Sequence, residues 1–517
     1  MHTDLTRESD LPRTTRNALL LAVLALTLIV QLPLMLNVHS VEYDEAIFLD
    51  VARNIHRVGL PIRSVGTQGA FYFEHTFLYP YLLSLCVPKT AVGIFFTRML
   101  TVMLSLGCVW LIFDSAEQIK GPRAGFVAAL LLALNPFFAV YSFFIYMEIP
   151  MTFMLLTAFR FFLHYLKTER RQRIILTGIS VAIAILFKEI ALLFTGVLAW
   201  HFLTDPKVRR YQALKNAILV SMPTALGMIG WSALCYTLSP TAFLSVLKRW
   251  LDSAAIGKSF DFRMFITPLQ WTQNIICDLL GIPLVLGIIG VFGVTIFKRC
   301  KLSSASRLLS GYLVLAISLS YIVKLKELRH LIAVIPASAL LVGVGLDWQN
   351  ILTHSHQLRR QIRIITLIGF LLIAGGSPLR LPSRSSPAPQ AWLAPIYAHR
   401  LLANEPYYNA LRLAGIYLNE HSAPSSVIAV VHEATVVGYY ADRPYMMLYT
   451  RSSESAVIQT LAQTQYLVWD HTVFPTLTEE QIHAVQDYVA QHFTVAQVIR
   501  DDHREITIYQ RSTPASN

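Results

Sequence analysis

The sequence predicts an all-α polytopic membrane domain followed by a small C-terminal α/β domain. Of the 517 residues, 54% are hydrophobic and only 14% are charged, whereas soluble domains contain about 25% charged residues. Long apolar runs alternate with short polar segments up to about residue 377. Runs of this length fit a hydrocarbon core about 30 Å thick. After a linker, the composition becomes that of an ordinary soluble protein.

We predict about eleven membrane-spanning helices, or twelve to thirteen if short apolar segments also span. The first runs from about Asn17 to Leu36, and a polar and aromatic loop, 37–93, follows it. The apolar segment Phe77–Val87 in this loop fits an interfacial or re-entrant helix, or half of a further span. The other spans lie near 94–113, 124–144, 150–166, 174–187, 190–204, 214–236, 278–297, 308–323, 328–346 and 362–377.

Basic residues mark one side of the membrane. The loops near residues 120, 170, 208, 300 and 360 are alternate loops and all are basic, which is the pattern of cytoplasmic loops. The N-terminus is then cytoplasmic, and an odd number of spans puts the C-terminal domain outside. We expect a multi-pass protein of the cell inner membrane. These loops account for the formal net charge of +12, so no nucleic-acid partner is expected.

The C-terminal part of the chain has the pattern of a soluble domain. Residues 378–396 are rich in Pro and Ser and are typical of a linker. Residues 397–517 alternate short apolar strand patterns with helical patterns, which predicts an extracytoplasmic α/β domain. The predicted strands are 427–431, 445–449, 466–469, 493–499 and 506–510, and the predicted helices are 455–463 and 478–493.

The cysteines indicate neither a zinc site nor a disulfide framework. None has a partner at C-x-x-C spacing, and none lies in the C-terminal domain. The five are Cys86, Cys108, Cys235, Cys277 and Cys300.

Carboxylates lie at two places in the loops predicted to face outward. The segment Glu42-Tyr43-Asp44-Glu45 follows the first span, and Glu148 ends the third within Y-M-E-I-P. One carboxylate could act as general base for an acceptor hydroxyl. Asp44 is the first choice, with Glu45 and Glu148 as rivals. The alternatives are a helix N-terminal charge for Glu45 and a carboxylate that snorkels from a helix end for Glu148.

Cations lie in the same set of predicted outer loops. Lys188 stands between two spans, and the turn 324–330 (K-L-K-E-L-R-H) is basic on the side where positive charge is least expected. Lysine binds phosphate as a point charge, and arginine binds it through two parallel hydrogen bonds. Lys188 and Arg329 are therefore candidate phosphate ligands. The alternatives are an ion pair of Lys188 with Glu189, snorkelling of Lys188, or pairing of the turn with the acids at 42–45.

Five motifs, in order along the chain, resemble those of the GT-C superfamily of membrane glycosyltransferases. The groups most similar are the bacterial relatives of protein O-mannosyltransferases and the lipid A aminoarabinose transferases. His75 stands where the aminoarabinose transferases have Lys, and His330 replaces the usual Tyr. The motifs are Y-D-E-A-I-F-L-D-V-A-R-N-I at 43–55, Y-F-E-H at 72–75, Y-M-E-I-P at 146–150, F-K-E at 187–189 and L-R-H-L-I-A-V-I-P at 328–336.

The resemblance implies a polyprenyl-phosphate sugar donor and an inverting transfer on the outer face. It implies a catalytic acid in the first loop, so Asp44, Glu45 and Glu148 are the candidate catalytic residues. The candidate ligands of the lipid phosphate are Lys188, Arg329, His330, His75 and Tyr72. Many members need no metal, while oligosaccharyltransferase relatives use a divalent ion, and we expect no metal or other cofactor here.

Two other classes of protein remain open from the sequence. A transporter or flippase of a lipid-linked glycan is the main alternative, although such proteins often show an internal repeat and midplane ionisable residues. This chain shows no repeat, and its ionisable residues lie at span ends. A membrane scaffold that only displays the C-terminal domain would leave the outer charges without a role.

Overall fold

The computed structural model describes residues 12–36, 38, 40–66, 69–86, 91–204, 209–254, 271–297, 303–322, 328–345, 396–431, 433–448, 453–470, 478–501 and 504–512. The described residues fall into two compact units. The helical unit draws on Met1–Met35, Glu74–Thr76 and Arg98–Arg400. The sheet unit draws on Leu36–Phe73, Phe77–Thr97 and Leu401–Asn517, and therefore contains both the first loop and the C-terminal domain.

Helices make up most of the described chain, as predicted. In order they are α1 Arg13–Leu36, α2 Tyr43–Val58, α3 Leu78–Ser84, α4 Ala91–Lys120, α5 Pro122–Ala133, α6 Pro136–Tyr141, α7 Glu148–Thr168, α8 Arg171–Phe187, α9 Leu192–Thr204, α10 Arg210–Leu238, α11 Pro240–Ala254, α12 Gly281–Phe297, α13 Ser304–Ile322, α14 Val334–Gly345, α15 Ile396–His421, α16 Ala434–Ala441, α17 Glu454–Ala462 and α18 Glu479–His492. Glu189–Ala191 and Leu328–Leu331 are 3₁₀ turns, and Asn274–Leu280 is a π-helical segment.

Several helices are long and apolar enough to cross a bilayer, where a helix satisfies its backbone hydrogen bonds internally. Among the described residues five qualify, and a sixth if the bent pair Trp271–Leu280 and Pro283–Gly293 is one span. Shorter apolar helices occupy Pro122–Ala133 and Glu189–Thr204. The protein is thus an integral membrane protein, and the count of about eleven spans stays a prediction. The predicted span 362–377 lies outside the described residues.

The segment predicted as one span, 124–144, is not one continuous helix, because the chain breaks at Asn135. Helix α5 ends at Ala133, and α6 starts at Pro136. Proline cannot donate its backbone nitrogen, and it disfavours helical geometry at the residue before it. The Asn135 side chain caps α6 by accepting from Phe138 N at 2.8 Å, and it donates to the carbonyl of Leu279 at 2.9 Å.

Close packing and ion pairs hold the helical unit together. A Cβ on Gly343 would lie 2.7 Å from Ala128 Cβ, so the glycine permits the close approach of α14 to α5. Arg16 of α1 donates to both carboxylate oxygens of Glu117 on α4, at 2.6 and 2.7 Å. Helix α4 is also tied to α7, where Arg160 Nε lies 2.7 Å from an oxygen of Asp114.

The sheet unit contains a mixed five-stranded sheet of order β4-β3-β5-β7-β6. Strand β3 is parallel to β4 and β5, and β7 is antiparallel to β5 and β6. Each of the five segments predicted as strands is a strand, and both predicted helices are present as α17 and α18. The strands are β3 Ile428–Val430, β4 Tyr445–Met447, β5 Tyr466–Asp470, β6 Phe493–Asp501 and β7 Arg504–Arg511.

The first loop folds as part of this unit. Helix α2 ends at Gly59, whose φ of +74° is the left-handed conformation of a helix C-cap. A two-stranded hairpin follows, with β1 Ile62–Arg63 paired to β2 Ala70–Phe71. Next to this hairpin, Val65 forms a parallel bridge with Tyr445, so the loop extends the β4 edge of the sheet.

Candidate active site

Glu148 and Lys188 form a buried ion pair in the helical unit. Glu148 is the first residue of α7, and its side chain is 2% exposed. Lys188 follows α8 in extended backbone, which ends that helix and turns the ammonium group toward α7. Its Nζ donates to Oε1 of Glu148. The alternatives of a local Lys188–Glu189 pair and of snorkelling side chains are therefore wrong.

Arg329 is the second cation at the same carboxylate. Its Nε lies 3.8 Å from Oε1 of Glu148, and its guanidinium group stacks over the Tyr146 ring at 5.3 Å. The 3₁₀ turn Leu328–Leu331 presents both Arg329 and His330. His330 interacts electrostatically with Glu148 and Lys188. Three motifs from separate parts of the sequence thus meet at one point.

His75 lies beside Glu189, the acid of the F-K-E motif. Its Nδ1 is 3.3 Å from Oε2 of Glu189, and the Thr76 backbone N–H donates to Oε1 of the same residue at 3.0 Å. The Thr76 hydroxyl also donates to the carbonyl of Ile185 at 3.3 Å. Contacts with the Glu189 carboxylate therefore join the Y-F-E-H motif to the F-K-E motif.

Arg98 is a member of this neighbourhood that the sequence analysis missed. It is 2% exposed, and its guanidinium group lies 5.8 Å from the Phe144 ring. Phe144 stacks on Tyr146 with ring centroids 5.5 Å apart, so the two rings link Arg98 to Arg329. An arginine within an apolar span was the signal, because ionisable residues in spans are functional candidates by default.

An apolar cavity adjoins the cluster. Its lining includes Thr152, Phe159, Phe194, Tyr312 and Pro336, from α7, α9, α13 and α14. Thr152 lies one turn after Glu148 and donates its hydroxyl to the Glu148 carbonyl at 2.7 Å. The apolar cavity therefore begins one helical turn after Glu148 on α7.

Asp44 and Glu45 lie in the sheet unit, in the first turn of α2, and differ in environment. Glu45 is fully buried, and its Oε2 accepts from the Glu42 backbone N–H at 3.0 Å, which is the reciprocal half of a capping box. Asp44 is half-buried. This geometry gives Glu45 the structural role that the alternative interpretation offered, while Asp44 stays a candidate base.

Glu433 of the C-terminal domain is a further acid near Asp44. It precedes α16 in left-handed backbone, with φ of +51°. Burial, and secondly the charge of Asp44, raise the pKa of the Glu433 carboxyl to about 7. No motif surrounds Glu433, so the sequence carried no signal for this proximity.

Tyr72, predicted as a phosphate ligand, packs inside the sheet unit. It is 2% exposed, and its ring meets that of Phe48 edge to face, 6.5 Å away. Asp50, one turn after Ala46 on α2, is also buried and accepts from the Ser64 backbone and hydroxyl, both at 2.8 Å. These contacts show α2 as a buried, well-fixed helix.

Glu148, Lys188, Arg329, His330 and His75 therefore belong to the helical unit, where the first four meet. Asp44, Glu45 and Tyr72 belong to the sheet unit. In the described part of the chain, no three His, Cys, Asp or Glu side chains are grouped to hold a metal ion. Glu148 is bound by Lys188 and Arg329, and Glu45 caps α2.

Comparisons with known proteins identify one family profile and several solved structures of similar fold. Residues 74–236 match the family profile described as dolichyl-phosphate-mannose-protein mannosyltransferase. ArnT from Cupriavidus metallidurans bound to undecaprenyl phosphate is similar with a TM-score of 0.64 and 15% identity, covering 96% of this chain and 98% of that chain. A search of curated protein sequences found no match.

Two further solved structures are similar over most of the chain. AglB from Archaeoglobus fulgidus, in complex with an inhibitory peptide and a dolichol-phosphate, has a TM-score of 0.54 and 10% identity, covering 88% of this chain and 69% of that chain. The arabinofuranosyltransferase AftD from Mycobacteria has a TM-score of 0.54 and 15% identity, covering 98% of this chain and 40% of that chain. These likenesses show that the chain shares the fold of the three solved structures, which is the GT-C fold that the five sequence motifs predicted.

Proposed function

We propose that the protein transfers a sugar, a hexose or a pentose, from a polyprenyl-phosphate donor to a hydroxyl group on the extracytoplasmic face. The acceptor is a lipid, a glycan or a protein. The observation that carries the proposal is the buried cluster of Glu148, Lys188 and Arg329. The family profile over 74–236 supports it, as do the lipid phosphates bound to ArnT and AglB.

In this proposal the cluster binds the donor phosphate. Two cations face a single carboxylate, so the cluster retains an excess positive charge that suits an anionic ligand. Lys188 contributes a point charge, and Arg329 contributes a planar fork of donors. Glu148 holds both cations in place before the donor arrives. The same cations stabilise the negative charge that develops on the phosphate as it leaves, when fixed charges contribute most to the rate.

The first prenyl units of the donor are proposed to contact the apolar side chains that line the small cavity near the cluster. Binding pockets for such ligands are mostly apolar with a few fixed polar groups. The cavity lining runs along α7 from Thr152 to Phe159 and continues on Tyr312 and Pro336. A phosphate at Lys188 would thus lie close to apolar side chains on the same helices, which the first prenyl units of the lipid could contact.

The proposed reaction is a single displacement with inversion. The acceptor oxygen forms a bond to the anomeric carbon, the bond from that carbon to the phosphate oxygen breaks, and the electron pair leaves with the lipid phosphate. The acceptor proton passes to Asp44, because a hydroxyl is a weak nucleophile until its proton is removed. Glu45 is occupied at the start of α2, which favours Asp44 as the base.

The test is transfer by the purified protein in proteoliposomes. Radiolabelled mannosyl, arabinosyl and aminoarabinosyl undecaprenyl phosphates are offered with membrane extract as the source of acceptor. We expect one donor to label the acceptor fraction and release undecaprenyl phosphate. Lys188→Met should abolish this, while Arg170→Gln, an exposed cation at the other end of α8, should not.

The flippase alternative predicts a different result. Labelled donor would then move between leaflets without losing its sugar, and the acceptor fraction would stay unlabelled with every donor. That result would overturn the proposed function.

A further inference from the structure

One carboxylate of the C-terminal domain binds two arginines of the first-loop helix. Asp442 follows α16 directly. Its Oδ1 accepts from Arg53 Nη1 at 2.8 Å and from Arg57 Nη1 at 2.9 Å, and its Oδ2 accepts from Arg57 Nη2 at 2.5 Å. Both arginines lie in the C-terminal half of α2, the helix that begins at Tyr43 and carries Asp44.

Other contacts hold α2 against α16 along its length. Arg53 is 8% exposed, donates to the Tyr439 carbonyl at 3.0 Å and lies 4.8 Å from the centre of the Tyr439 ring. At the other end of α2, the Val41 backbone N–H donates to the Tyr440 hydroxyl at 3.0 Å. Helix α16 therefore contacts the chain just before α2 and also the last turns of α2.

The chain after α16 is fixed as well. Asp442 adopts left-handed backbone with φ of +53°, a conformation that only Asn, Asp and Gly visit routinely. A few residues later, Tyr445 N donates to the Ser64 carbonyl at 3.1 Å, and Gly66 N donates to the Tyr445 carbonyl at 2.8 Å. Asp442 thus stands between two segments that are each bound to the first loop.

The charge state of Asp442 suits this role. Burial alone would raise its pKa, but the hydrogen bond from Arg57 and the charges of Arg53 and Arg57 outweigh burial and lower the pKa below its ordinary value. The carboxylate therefore stays ionised at neutral pH. A hydrogen bond between charged partners is roughly twice as strong as a neutral one.

We propose that Asp442 is a positioning residue for the sugar transfer, acting through Arg53 and Arg57 to hold α2 and hence Asp44 in place. This inference rests on the proposed function. It assigns a role in the reaction to the C-terminal domain, because the end of its helix α16 holds α2, the helix that carries the proposed base. Misplacing a reacting group by about 1 Å can lower a rate by about a hundredfold.

The experiment compares Asp442→Asn with Glu505→Gln. Asparagine tolerates the left-handed backbone but has no charge. Glu505 pairs with Arg500 at 2.9 Å on the exposed surface of the same domain, so its loss changes a salt bridge away from α2. For Asp442→Asn we expect kcat to fall by about ten- to a hundredfold with the donor KM unchanged, whereas Glu505→Gln should match the wild type.

Two further measurements separate positioning from loss of folding. Hydrogen exchange of the α2 amides should accelerate in Asp442→Asn, while the β5 amides stay protected. If Asp442→Asn does not fold, Arg57→Gln removes the more exposed arginine and should lower kcat in the same direction by a smaller factor.

The outcomes distinguish this inference from the function on which it rests. A wild-type protein that transfers no sugar would overturn the proposed function and this inference with it. If the wild type is active and both folded variants, Asp442→Asn and Arg57→Gln, keep the wild-type kcat, this inference alone is overturned. A fall in kcat accompanied by an equal loss of β5 protection would also overturn it, since the effect would then be one of global stability.

Discussion

The ammonium group of Lys188 binds the carboxylate of Glu148 where neither side chain is more than 7% exposed. Removing one partner of a buried ion pair leaves an uncompensated charge, which costs about 3–5 kcal/mol, whereas replacing both can be nearly neutral. We therefore expect Lys188→Met and Glu148→Gln each to lower the stability of the protein, and the double variant to recover it.

Donor binding should behave differently from stability in the same variants. The double variant Glu148→Gln/Lys188→Met lacks the cation that binds phosphate, and a charge-assisted hydrogen bond contributes about 1.5–3 kcal/mol. We expect a loss in affinity for undecaprenyl phosphate of about ten- to a hundredfold, measured by calorimetry in detergent beside thermal unfolding. A stable double variant with wild-type affinity would show that Lys188 has only a structural role.

Asp44→Asn tests the proposed base. The variant keeps the shape of the side chain but cannot accept a proton, so turnover should fall by about 10²–10⁴-fold. Donor binding should stay unchanged. Glu45→Gln is the matched comparison, because Glu45 closes the capping box of α2 and glutamine can fill the same position, so turnover should stay close to that of the wild type. Asp44→Asn with more than about a tenth of wild-type turnover would move the base to another carboxylate.

Glu433 should make stability depend on pH. Its folded pKa of about 7 lies above its ordinary value of 4.5, so the folded state binds more protons and stability falls as pH rises from about 4.5 to about 7. One proton contributes a slope of at most about 1.4 kcal/mol per pH unit. Thermal unfolding of Glu433→Gln should show a smaller fall over this window than the wild type. Glu420→Gln, an exposed acid on α15, is the control and should leave the slope unchanged; the hypothesis fails if the two variants behave alike.

The predicted orientation can be tested by labelling. In a Cys86→Ser background, which removes an exposed cysteine, Ser453→Cys should react with a membrane-impermeant maleimide in intact spheroplasts. Gln172→Cys should react only after permeabilisation. Both positions are exposed on the protein, so access across the membrane decides the result. The reverse pattern would place the C-terminal domain in the cytoplasm and contradict the positive-inside assignment.

The transfer reaction should not need a metal ion. Glu148 is bound by two cations, and a carboxylate in that position is not available to a divalent ion. Dialysis against EDTA should therefore leave the transfer rate unchanged. Loss of activity that Mg²⁺ or Mn²⁺ restores, and that Na⁺ does not, would contradict this expectation.

Much of the fold could be predicted from the sequence because its causes are local. Apolar runs long enough to cross a bilayer predict helices, since lipid offers the backbone no hydrogen-bonding partners and a helix satisfies its backbone groups internally. Short continuous apolar runs identified the strands at 428–430 and 466–470, and Thr478 with Gln481 forms the capping box that starts α18. The Asn-Pro pair was also a sequence signal for the break at Asn135, but the long apolar run around it favoured a single helix.

The sequence by itself determined which residue types lie at the ends of the membrane helices, and only the tertiary structure decided which of them are partners. Lys188 has Glu189 as its neighbour in the chain, yet it pairs with Glu148 on another helix. Asp442 binds two arginines of α2 from the opposite end of the chain. The physical reason is that helices and strands follow from backbone hydrogen bonding and periodicity within a few residues, whereas an ion pair depends on where packing places two distant segments.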